Sequence, residues 1–509
     1  MKVKQTALSI LLLSLFLKLV GFLRESVIAK QFGANAITDG FLLAYTVLTL
    51  FMLIVSTGFN NVFLPIYAKF QRAKDKFARS NENALLNVSV LLFLAFGLAI
   101  YGLLLALEPL AAHKQTLQTA LTVGRFFSVF TFLLALQAML ESYLQVKHSY
   151  VPTQMAKLLA ALFSAGFGLF LARDFGIMSV AYGFMVGTAL GVLLQIFYLF
   201  RRGYEWRLTF LWEPEFGKTF AMLLWPALLN AIVGPLNVFI DKIFATATIA
   251  GAVTYLNNAS LIVSIPGAVY TTTIGALIFT FLTEKASSPA DFSALLRLGI
   301  EMGFLLFLPM AVGLAVIGED IVALIYQHGA FTKADTAATY QALALYAPLV
   351  AVQGVQIVIS KALFALEQNK ALLKLSATTI FLNIVLNALF MKWLGFQGLA
   401  LSSSLVAVYY FLLSVRLLTK AGMTKANLQT LAVFWQSFIP ALIMGLALLG
   451  IRHFHGVFEQ MLIIKVIMEI FLGAVIYGGT SWFFNRNGVM KMFILIKKKK
   501  TSPEEPFRS

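Results

Sequence analysis

Stretches of about twenty consecutive apolar residues recur along the chain, and this feature limits the possible folds more than any other. One example is IMSVAYGFMVGTALGVLLQIFYLF at residues 177–200, which contains no charged side chain. A bilayer core about 30 Å thick needs roughly 20 apolar residues for one α-helix to cross it. Dividing the chain on this basis predicts an all-α polytopic membrane protein with fourteen transmembrane helices.

The composition excludes several other classes of protein. Hydrophobic residues make up 60% of the 509 residues and charged residues only 12%, whereas soluble domains carry about 25% charged residues. A soluble enzyme of this composition would expose large apolar patches. The chain has no cysteine, which removes disulfide scaffolds and thiolate metal sites, and its five histidines do not favour a histidine-rich metal site.

The distribution of Lys and Arg predicts the orientation in the membrane, because cytoplasmic loops carry an excess of these residues. Most loop Lys and Arg, including Arg201, Arg202 and Arg207, follow an even number of predicted helices, and so does the run Lys497–Lys500. Both termini are therefore predicted on the cytoplasmic side of the membrane. The net charge of +17 follows from this topology and does not indicate a nucleic-acid partner.

A weak internal repeat predicts duplicated halves, as in many transporters. The segment GFLRESVIAKQF from Gly21 resembles GPLNVFIDKIFA from Gly234, about six predicted helices later. The predicted segments are an N-terminal six-helix bundle at 1–203, a C-terminal six-helix bundle at 204–425, helices 13 and 14 at 426–486, and a basic cytoplasmic tail at 487–509.

Glycine and proline predict where helices pack closely and where they are interrupted. Gly183, Gly187 and Gly191 form a small-xxx-small pattern that is typical of close helix packing in membranes. Proline removes a helical hydrogen bond, so we expect interruptions where proline and glycine fall inside the spans. These positions are Gly58 with Pro65, Pro226 with Gly234 and Pro235, and Pro266 with Gly267.

Ionisable residues inside the predicted spans mark candidate functional sites, since each costs about 2.5–3.5 kcal/mol at a helix centre. They are Lys18, Arg24, Glu25, Arg125, Glu141, Lys157, Asp241, Lys242, Glu301, Lys361, Lys465 and Glu469. We interpret Lys465 and Glu469 as a local i,i+4 ion pair. Lys157, near a span end, is interpreted as a side chain that extends toward the membrane interface.

The first helix carries the strongest candidate binding site. Lys18 and Arg24 lie in mid-span, Lys18 and Glu25 share a helix face, and Asp39 follows the next turn. One interpretation is an internal ion-pair cluster; the other is a pair of cations that face a central cavity and bind phosphate oxygens. The two interpretations are compatible if Glu25 or Asp39 pairs with the cations in the absence of substrate and the substrate then displaces that carboxylate.

A second candidate site combines one carboxylate with neutral oxygens. Asn383 and Asn387 are four residues apart on the predicted eleventh helix, so their amides point the same way. With Asp241, Ser403 and the carbonyl of Leu399 they offer the oxygen ligands that a hard cation such as Na⁺ prefers. The alternative is that the amides bond between helices and that Lys242 or the backbone satisfies Asp241.

Four motifs resemble those of the MurJ/MviN family, the lipid II flippases of the MOP exporter superfamily. They are GFLRESVIAKQFGANAITDGFLLAY, LIYQHGAFTKADTAAT, ISKALFALEQNK and GFQGLALSSSLVAVYY, which follow the family's order. The resemblance implies two six-helix bundles around a cationic cavity and a groove for a lipid tail at helices 13 and 14. It also implies alternating access that moves an undecaprenyl-diphosphate-linked cell-wall precursor, lipid II, from the inner to the outer leaflet for peptidoglycan synthesis.

The resemblance also implies roles for particular residues. Lys18 and Arg24 match the family's first-helix cations, with Glu25 beside them and Asp39 as their acidic partner. The residues that resemble a sodium site in some members are Asp241, Asn383, Asn387, Leu399 and Ser403. Asn387 stands where that pattern is more acidic. No cofactor other than Na⁺ as a coupling ion is implied.

One departure from the family pattern leaves the cargo open. Members usually carry arginines in the second and eighth helices, where this chain has Met52 with Leu53, and Asn257, Asn258 and Ser260. Asn258 is therefore the candidate substrate-binding residue of the eighth helix. The less cationic cavity keeps a flippase of another undecaprenyl-linked saccharide as an alternative.

Three further classes compete with a flippase. A cation-coupled multidrug exporter of the same superfamily needs an acidic cavity, which the first-helix cations oppose. A membrane enzyme acting on lipid-linked sugars needs clustered carboxylates or histidines, and the five histidines are dispersed. A structural scaffold for cell-wall assembly is the third. The chain has no GxxxxGK[ST] loop for ATP, so we predict a transporter and not an enzyme, with membrane lipids, a glycolipid substrate and a cell-wall synthesis complex as partners.

Overall fold

The computed structural model describes residues 2–72, 78–111, 113–271, 275–285, 288–422, 426–454, 462–486 and 488–490. The regular elements within these ranges are helices. In chain order they are α1 (Lys2–Phe32), α2 (Ala36–Arg72), α3 (Ala78–Ala106), α4 (Gln115–Val129), α5 (Thr131–Val146), α6 (Val151–Phe170), α7 (Ala172–Phe175), α8 (Met178–Arg201), α9 (Pro214–Ala245), α10 (Ala252–Tyr270), α11 (Ala276–Glu284), α12 (Pro289–Tyr326), α13 (Lys333–Leu345), α14 (Ala347–Ala365), α15 (Asn369–Leu394), α16 (Phe396–Lys420), α17 (Ala426–Phe454) and α18 (Leu462–Phe484). A short 3₁₀ helix, Glu108–Ala111, precedes α4.

Many of these helices are suited to a bilayer. Among the described residues, 11 helices are long and apolar enough to cross a membrane, or up to 12 if the bent pair α4 and α5 is one span. The fold is therefore all-α and polytopic, as predicted. The count of fourteen, the symmetry of the bundles and the bounds of the four segments stay predictions. The run Lys497–Lys500 lies outside the described residues.

The chain forms two compact units. Unit one contains Met1–Tyr255 and Tyr326–Asp335, and unit two contains Leu256–Ile325 and Thr336–Ser509. The core of unit one joins helices α2, α3, α5, α8 and α9 through buried apolar side chains. These include Phe59, Phe63, Leu85, Met139, Leu144, Leu199 and Phe220. In unit two, Val316 and Ile317 of α12 pack against Met444 and Leu448 of α17.

The predicted close packing along the glycine pattern is confirmed within unit one. Gly183, Gly187 and Gly191 of α8 face the backbone of α6. A Cβ added to Gly187 would lie 2.7 Å from the Cα of Ala160, and one added to Gly191 would lie 2.9 Å from the Cβ of Ala156. Glycine is required here because any larger residue would separate the two helices.

The predicted interruptions at proline are wrong, because α2, α9 and α10 continue through these positions. A membrane helix tolerates the lost hydrogen bond where neighbouring groups satisfy the freed carbonyl. A bend with no proline beside it separates α4 from α5, which meet at 55° on either side of Phe130. The Thr131 hydroxyl donates to the Phe93 carbonyl of α3 at 2.9 Å, and Gly97 of α3 lets the Ser128 carbonyl approach. Contacts from α3 therefore fix this bend.

The predicted local ion pair between Lys465 and Glu469 is also wrong. Lys465 Nζ lies 3.1 Å from Asp320 Oδ2, and Glu469 Oε1 lies 3.4 Å from Arg452 Nε. Arg452 also bonds to Asp320 and donates to the carbonyl of Val316. Four charged side chains thus join α12, α17 and α18 within unit two.

Candidate substrate cavity

Unit one contains a cavity of about 360 Å³ between α1, α2, α5, α6 and α8. Its wall combines apolar side chains with a small set of polar ones. The polar lining residues are Arg24, Tyr45, Thr49, Ser56, Gln137, Glu141 and Lys157. Met52 and Leu53, where the family pattern has arginine, are also in the wall. The cavity therefore has the mixed lining that is typical of ligand sites.

Arg24 is held in this wall by two partners. Its guanidinium group forms an ion pair with Glu25 and donates a hydrogen bond to the Tyr45 hydroxyl. The Arg24 Cζ lies 4.4 Å from the centroid of the Tyr45 ring. The side chains of Arg24 and Glu25 are only 13% and 4% exposed. Breaking this buried ion pair would be costly, so the pair fixes the cation at the cavity.

A second ion pair crosses the same wall. Lys157 Nζ lies 2.8 Å from Glu141 Oε1, and the Ser56 hydroxyl donates to Glu141 Oε2 at 3.3 Å. The interpretation of Lys157 as a side chain that extends toward the membrane interface is therefore wrong. Gln137, one turn before Glu141, is buried, and within the described part of the chain neither amide atom has a hydrogen-bond partner. Each cation of the wall thus carries its own carboxylate, and Gln137 retains unused hydrogen-bonding capacity.

Lys242 of α9 is a further buried cation in unit one. It is 8% exposed, and its Nζ donates to the Thr46 hydroxyl at 2.7 Å. Lys242 also interacts electrostatically with Glu25, Arg24 and Asp39. These residues form a buried group of two cations and two carboxylates beside the cavity.

Asp39 binds the first turn of α10. Its Oδ2 accepts the Gly251 N–H at 2.8 Å, and its Oδ1 accepts the N–H and hydroxyl of Thr254 at 2.9 and 2.7 Å. An N-terminal helix turn favours an anion, which explains how this carboxylate is accommodated at 1% exposure. These hydrogen bonds connect α2 to the first turn of α10, and a direct role for Asp39 with the substrate stays a prediction.

Two motifs that carried the family resemblance meet in unit one. The Ala330 N–H donates to the Lys30 carbonyl at 2.8 Å. Gly33 has a φ of 68°, and a Cβ there would lie 2.6 Å from the Ala330 carbonyl oxygen. The Tyr255 hydroxyl donates to Asp335 Oδ1 at 2.7 Å. The segment Tyr326–Asp335 is therefore attached both to the end of α1 and to α10.

The remaining predicted substrate residues lie elsewhere. Lys18 on α1 is exposed and is not part of the described cavity wall. Asn258 belongs to unit two, where it is 2% exposed and its Nδ2 has no hydrogen-bond partner among the described residues. Their roles in substrate binding stay predictions.

The predicted sodium ligands are distributed over α9, α15 and α16. Asp241 is half-buried on α9 of unit one. In unit two, Asn383 and Asn387 are fully buried, and Asn387 Nδ2 donates to Asn383 Oδ1 at 3.2 Å. Leu399 is buried and Ser403 is half-buried on α16. The amides thus lie side by side, and sodium binding stays a prediction.

Comparison with known proteins identifies the family. A family sequence model described as lipid II flippase MurJ matches residues 28–469. The chain belongs to the MurJ family. A probable lipid II flippase MurJ of Buchnera aphidicola subsp. Schizaphis graminum is 24% identical over 89% of this chain and 90% of its own length. The lipid II flippase MurJ of Burkholderia cenocepacia is 25% identical, over 87% of this chain and 88% of its own.

Solved structures show the same fold for this MurJ-family chain. An inward closed conformation of lipid II flippase MurJ matches with a TM-score of 0.80 at 20% identity, covering 94% of this chain and 99% of that one. An inward-facing multidrug resistance MATE transporter of the MOP superfamily matches with a TM-score of 0.67 at 12% identity, covering 84% and 98%. Both matches show the fold that this chain shares with these two proteins.

Proposed function

We propose that this MurJ-family protein is a lipid II flippase, which moves an undecaprenyl-diphosphate-linked precursor from the inner to the outer leaflet by alternating access. The observation that carries this proposal is a guanidinium group, Arg24, in the wall of a cavity inside a membrane-helix unit. A planar guanidinium binds phosphate oxygens in a bidentate manner. The cavity replaces hydration for the headgroup, while the undecaprenyl chain stays in lipid.

Substrate binding in this scheme is an exchange of partners. A diphosphate must displace the Glu25 carboxylate from Arg24, because that carboxylate occupies the guanidinium now. Glu25 then needs another cation, and Lys242 already interacts with it electrostatically. Lys157 and Glu141 offer a second exchangeable pair, and Gln137 supplies an amide. Exchange keeps the buried charges compensated at each stage, which avoids the cost of an isolated ion.

The direction of transport follows from the membrane potential and from the proposed sodium site. An inside-negative potential favours outward movement of each negative charge by about 2.3 kcal/mol per 100 mV. We propose Na⁺ as the coupling ion, bound by Asp241, Asn383, Asn387, Leu399 and Ser403. Family likeness and the paired Asn383 and Asn387 amides support this ligand set.

The sodium proposal has a direct test. Asp241→Asn removes the only carboxylate of the proposed ligand set, so any sodium dependence of transport should disappear. Transport by reconstituted vesicles is compared under matched Na⁺ and K⁺ gradients. An unchanged sodium response in Asp241→Asn would remove the site from the mechanism.

The proposed setting is a bacterial inner membrane with both termini in the cytoplasm. The proposed substrate is an undecaprenyl-linked glycolipid, and a cell-wall synthesis complex is the proposed protein partner. Transport, and not catalysis, is the proposed activity.

The deciding experiment asks whether this chain alone supports lipid II transport. The gene is expressed in a bacterium whose own lipid II flippase is depleted, and growth is measured beside membrane insertion of the chain. Growth supports the proposal. Failure to grow despite normal insertion contradicts it, and vesicle assays with another undecaprenyl-linked saccharide would then identify the alternative cargo.

A further inference from the structure

A second cavity in unit one, of about 480 Å³, has an almost wholly apolar wall. It lies between α3, α5, α8 and the segment that follows α8. Its wall includes Val90 and Leu91 of α3, Leu136 and Leu140 of α5, and Ile196 of α8. None of its described lining residues belongs to the Arg24 cavity.

The segment 204–210 that covers this cavity is fixed by two asparagines of α3. Asn87 Nδ2 donates to the carbonyls of Arg207 and Thr209 at 3.0 and 2.9 Å, and Asn87 Oδ1 accepts the Trp206 indole N–H at 3.1 Å. Asn83 Oδ1 accepts the Tyr204 hydroxyl at 2.7 Å. These bonds satisfy the backbone of an irregular segment and hold it in place above the cavity.

The rim of the cavity exposes large apolar side chains. Leu91, Phe200, Leu208 and Phe210 line the cavity and are all exposed. Leu91 and Phe200 belong to candidate membrane spans, the latter within two residues of the end of α8. Tyr204 and Trp206 follow directly, and such aromatic residues are enriched where a membrane meets water. The cavity is therefore open to acyl chains close to the headgroup layer.

Basic residues are concentrated in the chain at the end of α8 and in the segment that follows it. Arg201 and Arg202 follow Phe200, and Arg207 lies between Trp206 and Leu208. Lys147 Nζ lies 5.6 Å from the centroid of the Tyr204 ring. Glu205 is the acidic residue of the covering segment and lies 3.5 Å from Arg207. Clustered Lys and Arg next to an apolar surface attract anionic lipid headgroups.

We propose that the cavity binds one acyl chain of an anionic membrane phospholipid, with its phosphate at the rim cations. This lipid site is additional to the proposed substrate cavity and lies on the other face of α5. Gln137 and Glu141 line the Arg24 cavity, whereas Leu136 and Leu140 line the apolar one. A bound acyl chain therefore packs against one side of α5, and the opposite side of α5 carries two polar groups of the substrate cavity.

The test uses the full chain in vesicles that contain phosphatidylcholine and a phosphatidylglycerol with a photoreactive group on one acyl chain. We expect crosslinks on the α3, α5 and α8 peptides that line the cavity. Ile196→Trp fills the cavity and should reduce crosslinking there by about tenfold, the factor that 1.4 kcal/mol of lost affinity produces. Leu193→Trp on the same helix, where Leu193 is exposed and outside the described cavity wall, should leave it unchanged.

A second pair of variants tests the headgroup. Arg201→Gln/Arg207→Gln should abolish the preference for phosphatidylglycerol over an equally photoreactive phosphatidylcholine. Arg173→Gln/Lys333→Gln removes the same charge from loops predicted on the other side of the membrane and should preserve that preference.

Three results would overturn the proposal. They are equal crosslinking in Ile196→Trp and the unmodified chain, no preference for the anionic lipid, and a co-purifying polypeptide in place of lipid at these peptides. Gel filtration and thermal unfolding check that the variants fold. If Ile196→Trp does not fold, the crosslink map of the unmodified chain decides, and an absence of crosslinks at the cavity overturns the proposal.

Discussion

At the scale of single residues, the ion pair between Arg24 and Glu25 contributes to stability, and Arg24 is also needed for transport. Arg24→Gln should abolish transport and also destabilise the protein by roughly 3–5 kcal/mol, because it breaks the buried ion pair with Glu25. Arg24→Gln/Glu25→Gln should regain most of this stability and remain inactive. Thermal unfolding in detergent and translocation of fluorescent lipid II in vesicles separate the two effects.

A matched control distinguishes this site from a general effect of losing an arginine. Arg125 of α4 also forms an ion pair within a predicted span, at 2.8 Å from Glu108, which is 55% exposed. Arg125→Gln should therefore cost about 1 kcal/mol or less and should preserve transport. Transport that survives in the Arg24→Gln/Glu25→Gln protein would contradict the phosphate-binding role of Arg24.

The cost of a charge in lipid made part of the cavity predictable. This cost identified Arg24, Glu25, Glu141 and Lys157 as unusual residues. The sequence pattern does not show which helices are neighbours, so it did not predict the pairing of Lys157 with Glu141. Gln137 and Tyr45 gave no signal because they are uncharged. The contacts of Asp39 with the first turn of α10 were equally hidden, since about 210 residues separate the partners.

At the scale of helices, the contact between α6 and α8 depends on the absence of a side chain. Gly187→Ala should destabilise the protein by about 1–3 kcal/mol, because the new Cβ overlaps the backbone of α6. Gly166→Ala on α6 is the control, since a Cβ there meets no atom within 4 Å. It should be neutral or stabilise by about 0.5–1 kcal/mol through the helix preference of alanine. Equal thermal stability of the two variants would contradict the packing argument.

The attachment of α17 and α18 to α12 is a second test at this scale. Asp320→Asn removes the carboxylate shared by Arg452 and Lys465 and should cost about 2 kcal/mol, since bonds to charged groups are involved. Asp291→Asn is the control, because its pair with Lys285 is exposed and should contribute less than about 1 kcal/mol. Chemical unfolding in detergent measures both. A loss in Asp320→Asn no larger than in Asp291→Asn would contradict a structural role for the cluster.

Helix boundaries were predictable only where they depend on local sequence. The glycine spacing of α8 predicted its close contact, because the period of a helix places those positions on one face. The bend at Phe130 has neither proline nor glycine beside it, and it depends on the carbonyl of Phe93 on α3. The prolines of α9 and α10 suggested breaks that the structure does not have. Tertiary contacts therefore explain both the bend that was not predicted and the breaks that were predicted wrongly.

At the scale of the whole molecule, the fold class was predictable because a bilayer leaves so few solutions for long apolar stretches. Helices satisfy all their backbone hydrogen bonds internally, so an apolar chain of this length forms a helical bundle in lipid. The number of spans was harder to predict, because the bent pair α4 and α5 counts as a span only if the two helices cross the membrane together. Orientation depends on loop charge instead, and it is open to direct measurement.

The predicted orientation can be measured without background, because the chain has no cysteine. Arg207→Cys and Ser502→Cys should be protected from a membrane-impermeant maleimide in intact cells, since both positions follow an even number of predicted spans in positively charged segments. Asp174→Cys, in the exposed turn around α7, should be labelled. Permeabilised cells should label all three variants, which controls for buried or oxidised thiols. Labelling of Ser502→Cys in intact cells would contradict the predicted orientation. If Arg207→Cys were still protected, the chain would have an odd number of spans. If Arg207→Cys were labelled as well, the whole chain would have the opposite orientation in the membrane.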